Sequence, residues 1–471
     1  MRVQVVFVGE PFNRDAVIHT LRHLAMRGGW QLTLGANAER RIIYATTDDP
    51  GAIEARDADL VILSSRAVAQ HLRDSREPIP LNEERLPFPH PHAAPHATRI
   101  SADVIAGACA AMNLWYEERT RAHMRDGWIR WRNDWMTRAG WVKPAPIADS
   151  WLDEIVEEAR RLGWGNVAPR CQNRFTIALT HDVDYLPTPD TRGTRRFVRA
   201  LARQIILRRR PGDALKLLAR YARGGSFQAE RVFDAAMRAE QARGARSSFG
   251  IVAARRHHFD PDYQIERAPI ASALQRIAAS EWEVCLHGSY TASRTPGALA
   301  GERAALERAV GVPVIGHRQH YLNFHPSRLF DEVEGAGLQY DSSVGYNDAS
   351  GARAGTYFPF RPFNLAHGRA YAFWEIPFVL MDTTLATTHR FSPGEALAHS
   401  QAILSGVARA GGCAALIWHL EQLSGLLDPG YAEVYFELLD WIRAQGGAMV
   451  NARDLLSDFN ARWHATMGDA E

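Results

Sequence analysis

The run "LTHDVDYL", residues 179–186, places His181, Asp182 and Asp184 within four positions, directly after the apolar stretch Phe175–Leu179. Such crowding has two explanations: a metal and a general base gathered at the lip of a sheet, or a polar turn that caps a helix. Downstream, other polar residues close other apolar runs: His287, Arg318, Asp341, Asp382 and His419. These residue types supply what acyl hydrolysis requires. A cation polarises the carbonyl and acidifies water, a carboxylate takes the proton, a guanidinium keeps that carboxylate ionised, and an imidazole protonates the leaving group. Each residue alone has a plain structural alternative, because buried polar side chains are often simply satisfied.

The elements that must position these residues are legible as apolar runs separated by helical segments. The runs are "FTIALTHD", "RSSFGIVA", "WEVCLHG", "VPVIGHRQ", "LQYDSS", "AFWEIPF", "AALIWHL" and "AMVNA". Their rhythm predicts an α/β fold, a deformed (β/α) barrel of seven or eight strands over residues 171–471. In such a barrel all C-terminal strand ends meet on one face, so polar residues repeated at those ends converge.

Upstream, "VQVVFVG" and "ADLVILSS" read as buried strands around a helix near Ala16–Met26, giving an α/β accessory domain over residues 1–100. It ends in a linker with six prolines between positions 78 and 95, which forbid regular structure. Nothing rigid holds that linker's His90, His92 and His96, so no metal site is read there. Residues 101–170 read as a helical connector, and Trp128, Trp131, Trp135 and Trp141 within it read as packing.

The balance of 55 Lys+Arg against 53 Asp+Glu gives no general attraction to nucleic acid. Four cysteines without a CxxC spacing read as reduced and buried, and the first apolar run meets Glu10 and Pro11 too soon for a signal peptide. The expected location is the cytoplasm. One segment departs from the neutral balance: eleven Arg or Lys fall between 192 and 223, with Phe197, Leu201 and Ile205 on one helical face. A solvated basic face is the plainer reading; peripheral contact with an anionic membrane or a phosphate is the functional one.

The stretches "THDVD", "LHGSYTAS", "RQHY", "EIPFVLMDTTL" and "LIWH" follow one another between Phe175 and about Leu456. In kind and order they resemble the motifs of the polysaccharide deacetylases, carbohydrate esterase family four, and the upstream region resembles the accessory part of one bacterial subset. The resemblance implies a catalytic group of Asp182 as base, Arg318 holding it, His419 as acid and Asp382 supporting that acid. It implies Asp184 and His287 as ligands of a divalent metal, zinc, and it places Tyr321, Ser289 and Asp341 near the substrate. Where the family has a second histidine four residues after the first, this chain has Thr291, a poor zinc ligand. His320, standing where the family's third motif has proline, is the candidate to close the shell; water or loss of metal are the alternatives.

The expectation is a metal-dependent hydrolase that removes an acetyl or other acyl group from an N- or O-acetylated sugar of an intracellular glycan or precursor. Two other readings stand beside it: an amidohydrolase acting on a non-sugar amide, and a catalytically silent glycan-binding scaffold.

Overall fold

The computed structural model describes residues 1–35, 38–47, 53, 59–90, 99–120, 130–164, 175–186, 198, 201–202, 205–206, 211–222, 229–423 and 428–466. His92, His96, Trp128, Cys171 and much of the Arg-rich stretch, Phe197 included, lie outside the described residues.

The first sheet holds five parallel strands in the order β2-β1-β3-β4-β5: β1 Arg2–Val8, β2 Gln31–Thr33, β3 Arg40–Thr46, β4 Leu60–Ser64 and β5 Arg99–Ile100. Alternation along the strands divides its apolar residues between two faces. Ile42, Tyr44, Leu60 and Ile62 join the main core, whereas Ile43, Ala45, Val61 and Leu63 form a smaller cluster on the other side. A helix, Arg14–Gly28, begins at Asn13, whose side chain accepts from the Ala16 N–H, and ends at Gly29 in the left-handed conformation.

The helical connector is more broken than the sequence suggested. Helices Val104–Met112 and Trp115–Arg119 are separated by Leu114 at φ 52°. Asn113 accounts for the break: its Nδ2 donates to the Cys109 carbonyl, and its Oδ1 accepts the Phe363 N–H. The linker histidine His90 is buried, with its Nε2 donating to the Thr47 carbonyl. Trp135 packs against Trp141 and Trp151.

The second sheet is parallel and nine-stranded, with β6 Thr176–Val183, β7 Ser248–Ile251, β8 Glu283–Gly288, β9 Gly316–Gln319 and β10 Tyr340–Asp341 in sequential order. A short hairpin, β11 Phe363–Asn364 and β12 Arg369–Ala370, stands apart. β13 Trp374–Glu375 pairs with β10, β14 Phe378–Met381 pairs with β15 Cys413–Ile417, and β15 returns to β6. The two free ends of the ladder, β13 and β14, are thus consecutive pieces of one extended segment, and the chain itself closes the barrel. β16 Ala448–Val450 pairs with the start of β6. Because every pair is parallel, the C-terminal ends share one face.

One apolar core runs from Val3 to Trp463 and joins both sheets through the connector. Across that junction Arg27 donates to Asp149 at 2.8 Å, and Asp149 also accepts from Thr356 Oγ1 and the Tyr357 N–H. Arg353 grips Glu117 with two hydrogen bonds of 2.9 and 2.5 Å, both side chains being buried.

Candidate active site

Alternation along β6 decides which of its polar residues enter the barrel. Thr180 and Asp182 face inward and meet Arg318 Nη1 at 2.6 and 2.9 Å. His181 faces outward, where Nδ1 donates to the Trp418 carbonyl and Nε2 meets Glu240 at 2.7 Å. Glu240 also accepts from Tyr435, Trp282 and Ser247, so His181 is a buried strut between strand and helix. Asp184 lies just past the strand end. The Tyr263 hydroxyl donates to the Val183 carbonyl at 2.8 Å and accepts the Val252 N–H, fixing the peptide between the two acids.

Arg318, at the end of β9, is fully committed. Beyond Thr180 and Asp182 it donates through Nε to the Ser342 carbonyl and through Nη2 to Ser342 Oγ. Its own carbonyl accepts from His287 Nδ1 at 2.9 Å, which leaves His287 Nε2 as a lone-pair donor 3.3 Å from Asp184 Oδ1. His320 is arranged the same way. Its Nδ1 bonds Asp260 Oδ1 at 3.0 Å, and its Nε2 lies 3.4 Å from Asp184 Oδ1. Asp260 is itself locked by the backbone N–H groups of Tyr290, Arg256 and His257.

Asp184, His287 and His320 therefore offer one oxygen and two nitrogens that all lie within 4.8 Å of one another, a set that could hold a metal ion. Two buried atoms in it, Asp184 Oδ1 and His320 Nε2, have no hydrogen-bond partner. Buried polar atoms are seldom left so, and a cation between them would satisfy both. The donor set, one carboxylate and two imidazoles each oriented through its other nitrogen, fits a divalent transition metal. The second imidazole comes from the end of β9 and not from position 291, where Thr291 opens a short turn.

On the far side of Asp184 stands His419, two residues past β15. Its Nδ1 bonds Asp382 Oδ1 at 2.6 Å, its backbone N–H reaches Asp382 Oδ2, and its Nε2 is 3.6 Å from Asp184 Oδ2. Burial alone would raise the Asp182 carboxyl, but Arg318, His287 and His419 outweigh it and hold that acid below the usual range. Asp184 is held well below it, burial being overcome by His320, His287 and His419. Burial would lower both imidazoles, yet Asp184 and Asp260 push His320 up to about 9, and Asp382, Asp184 and Glu421 push His419 well above its ordinary value.

Ser289 and Asp341 are each committed to neighbouring side chains. Both are fully buried: Ser289 bonds Glu302 through its hydroxyl and N–H, and Asp341 holds His317 Nδ1 and Ser343 Oγ at 2.7 Å each. A polar residue at a strand end also serves to tie neighbouring strands, and these two do so. Tyr321 is at the rim, 42% exposed, with a left-handed backbone (φ 58°) whose carbonyl accepts from Asn347 Nδ2. Its ring stacks on Phe259, 44% exposed, with centroids 5.2 Å apart.

Sequence reasoning passed over Asp260 and Glu421. Asp260 carried a signal, an acid inside the His-rich stretch "RRHHFDPDYQI" after the second barrel strand. Glu421, two residues past His419, is buried; burial first, and then Asp184, raise its carboxyl to about 8.

No family model matches the sequence, and none of the curated proteins does. Solved structures match part of the chain at low similarity. A Mycobacterium smegmatis protein assigned to the polysaccharide deacetylases has 16% identity and a TM-score of 0.40, covering 63% of this chain and 93% of that one. This chain is similar to polysaccharide deacetylases. Puue allantoinase follows at 14% identity and a TM-score of 0.40, covering 64% and 96%, and the polysaccharide deacetylase Bc1974 of Bacillus cereus at 10% and 0.30, covering 59% and 91%. What the residues of this barrel can do follows from the geometry above.

Proposed function

We propose that this chain is a metal-dependent hydrolase that removes an acetyl or related acyl group from an N- or O-acetylated sugar. The observation that carries the reading is the convergence of three strand ends on Asp184, His287 and His320, with Asp182–Arg318 on one side and His419–Asp382 on the other. Asp184, His287 and His320 would hold the cation, Zn2+ by the donor set. Once bound it supplies Lewis acidity toward an acyl oxygen and a water molecule.

The chain's own residues do the rest. Asp182, kept ionised by Arg318, accepts the proton of the attacking water. His419, kept protonated by Asp382, gives a proton to the departing nitrogen or oxygen. Arg318 makes no bond to a reacting atom in this scheme; it orients the base. The partly exposed aromatic pair Phe259 and Tyr321 at the rim beside His320 supports a sugar over a small non-sugar amide, because an aromatic rim suits the C–H groups of a pyranose.

Metal content of the purified protein, wild type beside His287→Ala and Asp184→Ala, tests this directly. Wild type should hold one divalent ion per chain and both variants should lose it. A wild type that takes up no divalent ion under any loading condition overturns the reading. Acetate release from acetylated saccharides and from simple non-sugar amides then separates the two substrate classes.

A further inference from the structure

A cleft of about 840 Å³ lies where the accessory part meets the barrel, within the ~300–1,000 Å³ of pockets that take small ligands. Three walls enclose it. One is the end of the helix Arg66–Asp74, with Leu72 and Arg73. The second is the connector, with Trp115 and Arg119. The third is the helix Pro326–Gly335 and the β11–β12 hairpin, with Phe330 and Phe363. Its lining includes neither the Asp184 cluster nor the Asp182–Arg318 and His419–Asp382 pairs.

The polar groups of the inner walls are largely spent on the protein. Trp115 Nε1 and Arg119 Nη2 both donate to the Leu72 carbonyl at 2.8 Å. Asn113 bonds Cys109 and Phe363, Asn364 donates to Tyr371, and Ser327 donates to Glu118 through its N–H and its hydroxyl. A sugar needs free donors and acceptors, whereas these walls offer apolar side chains, Leu72, Phe330, Phe363 and Leu365 among them. The charged groups fix the sign of a ligand's head. Arg73, Arg76 and Arg119 stand against Asp74 and Glu118, which leaves a single excess positive charge. Glu118 already holds Ser327 and lies 3.1 Å from His325 Nδ1. Arg73 and Arg76 are exposed and, among the described residues, make no ion pair or hydrogen bond.

We propose that this cleft binds a long-chain carboxylate, its hydrocarbon chain between Leu72, Phe330 and Phe363 and its head on the guanidinium groups of Arg73 and Arg76. The chain buries apolar area without asking the walls for a hydrogen bond, and a guanidinium fork matches a carboxylate. One excess charge suits a singly charged head better than a phosphate carrying two. Such a ligand touches the accessory helix, the connector and the barrel helix at once, so it ties the junction that Arg353 and Glu117 also hold. The proposal does not rest on the hydrolase reading.

The test is isothermal titration of the full chain with decanoate below its micelle concentration, beside octanoate, decanol, decyl phosphate and glucuronate. Decanoate should saturate at a single molecule per chain, and affinity should fall about fourfold for each CH2 removed. Decanol, without the charge, should bind at least about tenfold more weakly. Arg73→Gln with Arg76→Gln should cost decanoate at least about tenfold and leave decanol where it was. Ala69→Phe, at a half-buried lining position, should block both. Both variants should keep wild-type melting and metal content. No saturable decanoate binding, decanol as tight as decanoate, or unchanged affinity in the double variant overturns the proposal. So does tighter binding of glucuronate or decyl phosphate, which would assign the cleft to an acidic sugar or a lipid phosphate, or a dimer that Ala69→Phe dissolves. None of these results bears on metal uptake by the wild type or on acetate release.

Discussion

Two groups of buried histidines are driven in opposite directions by their neighbours. At the barrel mouth, His320 and His419 each face carboxylates, and burial, which would lower them, is overcome. At the junction between the two sheets, His19 and His23 have no such partner. His19 Nε2 donates to the Arg361 carbonyl, and the Arg361 N–H donates to His23 Nε2. Burial dominates there, pulling His19 down to about 4 and His23 well below its ordinary value. The neighbouring cations Arg361, Arg22 and Arg27 push the same way. Equal concealment thus gives imidazoles held above their ordinary value in one place and below it in the other, and the adjacent carboxylate decides which.

The largest effects should come from stripping the site of its acid and base. Asp182→Asn and His419→Ala should each lower acetate release by about 10³-fold, with metal content unchanged. Loss of metal in either would move that residue into the ligand shell. The junction should respond the opposite way. Arg353→Met leaves Glu117 buried without its partner and should cost about 3–5 kcal/mol in denaturant unfolding, while activity per folded molecule stays near wild type. Adding Glu117→Gln should recover much of that loss, since the uncompensated charge is then gone.

The junction histidines give a pH test. His19 has a folded value of about 4 against the ordinary 6.5, so the native state binds fewer protons than the unfolded chain between those limits. Its contribution is fully present above about pH 6.5 and is lost as pH falls toward 4, a swing of about 3 kcal/mol. Urea unfolding at several pH values should show stability falling over that window, and His19→Leu should flatten the fall. A variant with an unchanged slope would place the pH dependence elsewhere.

Much of this arrangement was legible in the sequence because its parts sit where patterns are simplest. Asp182, His287, Arg318, Asp382 and His419 each end an apolar run, and parallel strands force run ends together. The same rule says nothing of the partners of Ser289 and Asp341, Glu302 and His317, which lie 13 and 24 residues away along the chain. Hydrogen-bond demand inside a barrel has no periodic trace. Nor does a helix break set by a distant group: Asn113 ends its helix partly because Phe363, 250 residues on, needs an acceptor. His181, which carries no role in the sequence reading, adjoins Asp182, and on a strand adjacency in sequence means opposite faces.

Asp260 was hidden for the same reason, 60 residues before the His320 it orients, and it yields the smallest and most pointed test of the contrast between the two histidine groups. If a carboxylate is what separates His320 from His19, then Asp260→Asn should weaken metal binding by about 10–100-fold without abolishing it, because Asp184 and His287 remain. The amide keeps the size of the side chain but must turn an NH2 toward backbone N–H groups of Tyr290, Arg256 or His257, so the loop loosens as well. Competition with a chelator measures the affinity, and a thermal melt beside it separates a weakened ligand from a weakened fold. Asp382→Asn is the control: it removes the equivalent support from His419 and should leave the affinity for metal where it was while slowing acetate release. Equal loss of metal in both variants would mean that the two histidines serve one ion, and that the division into ligand and acid drawn from their separate carboxylates does not hold.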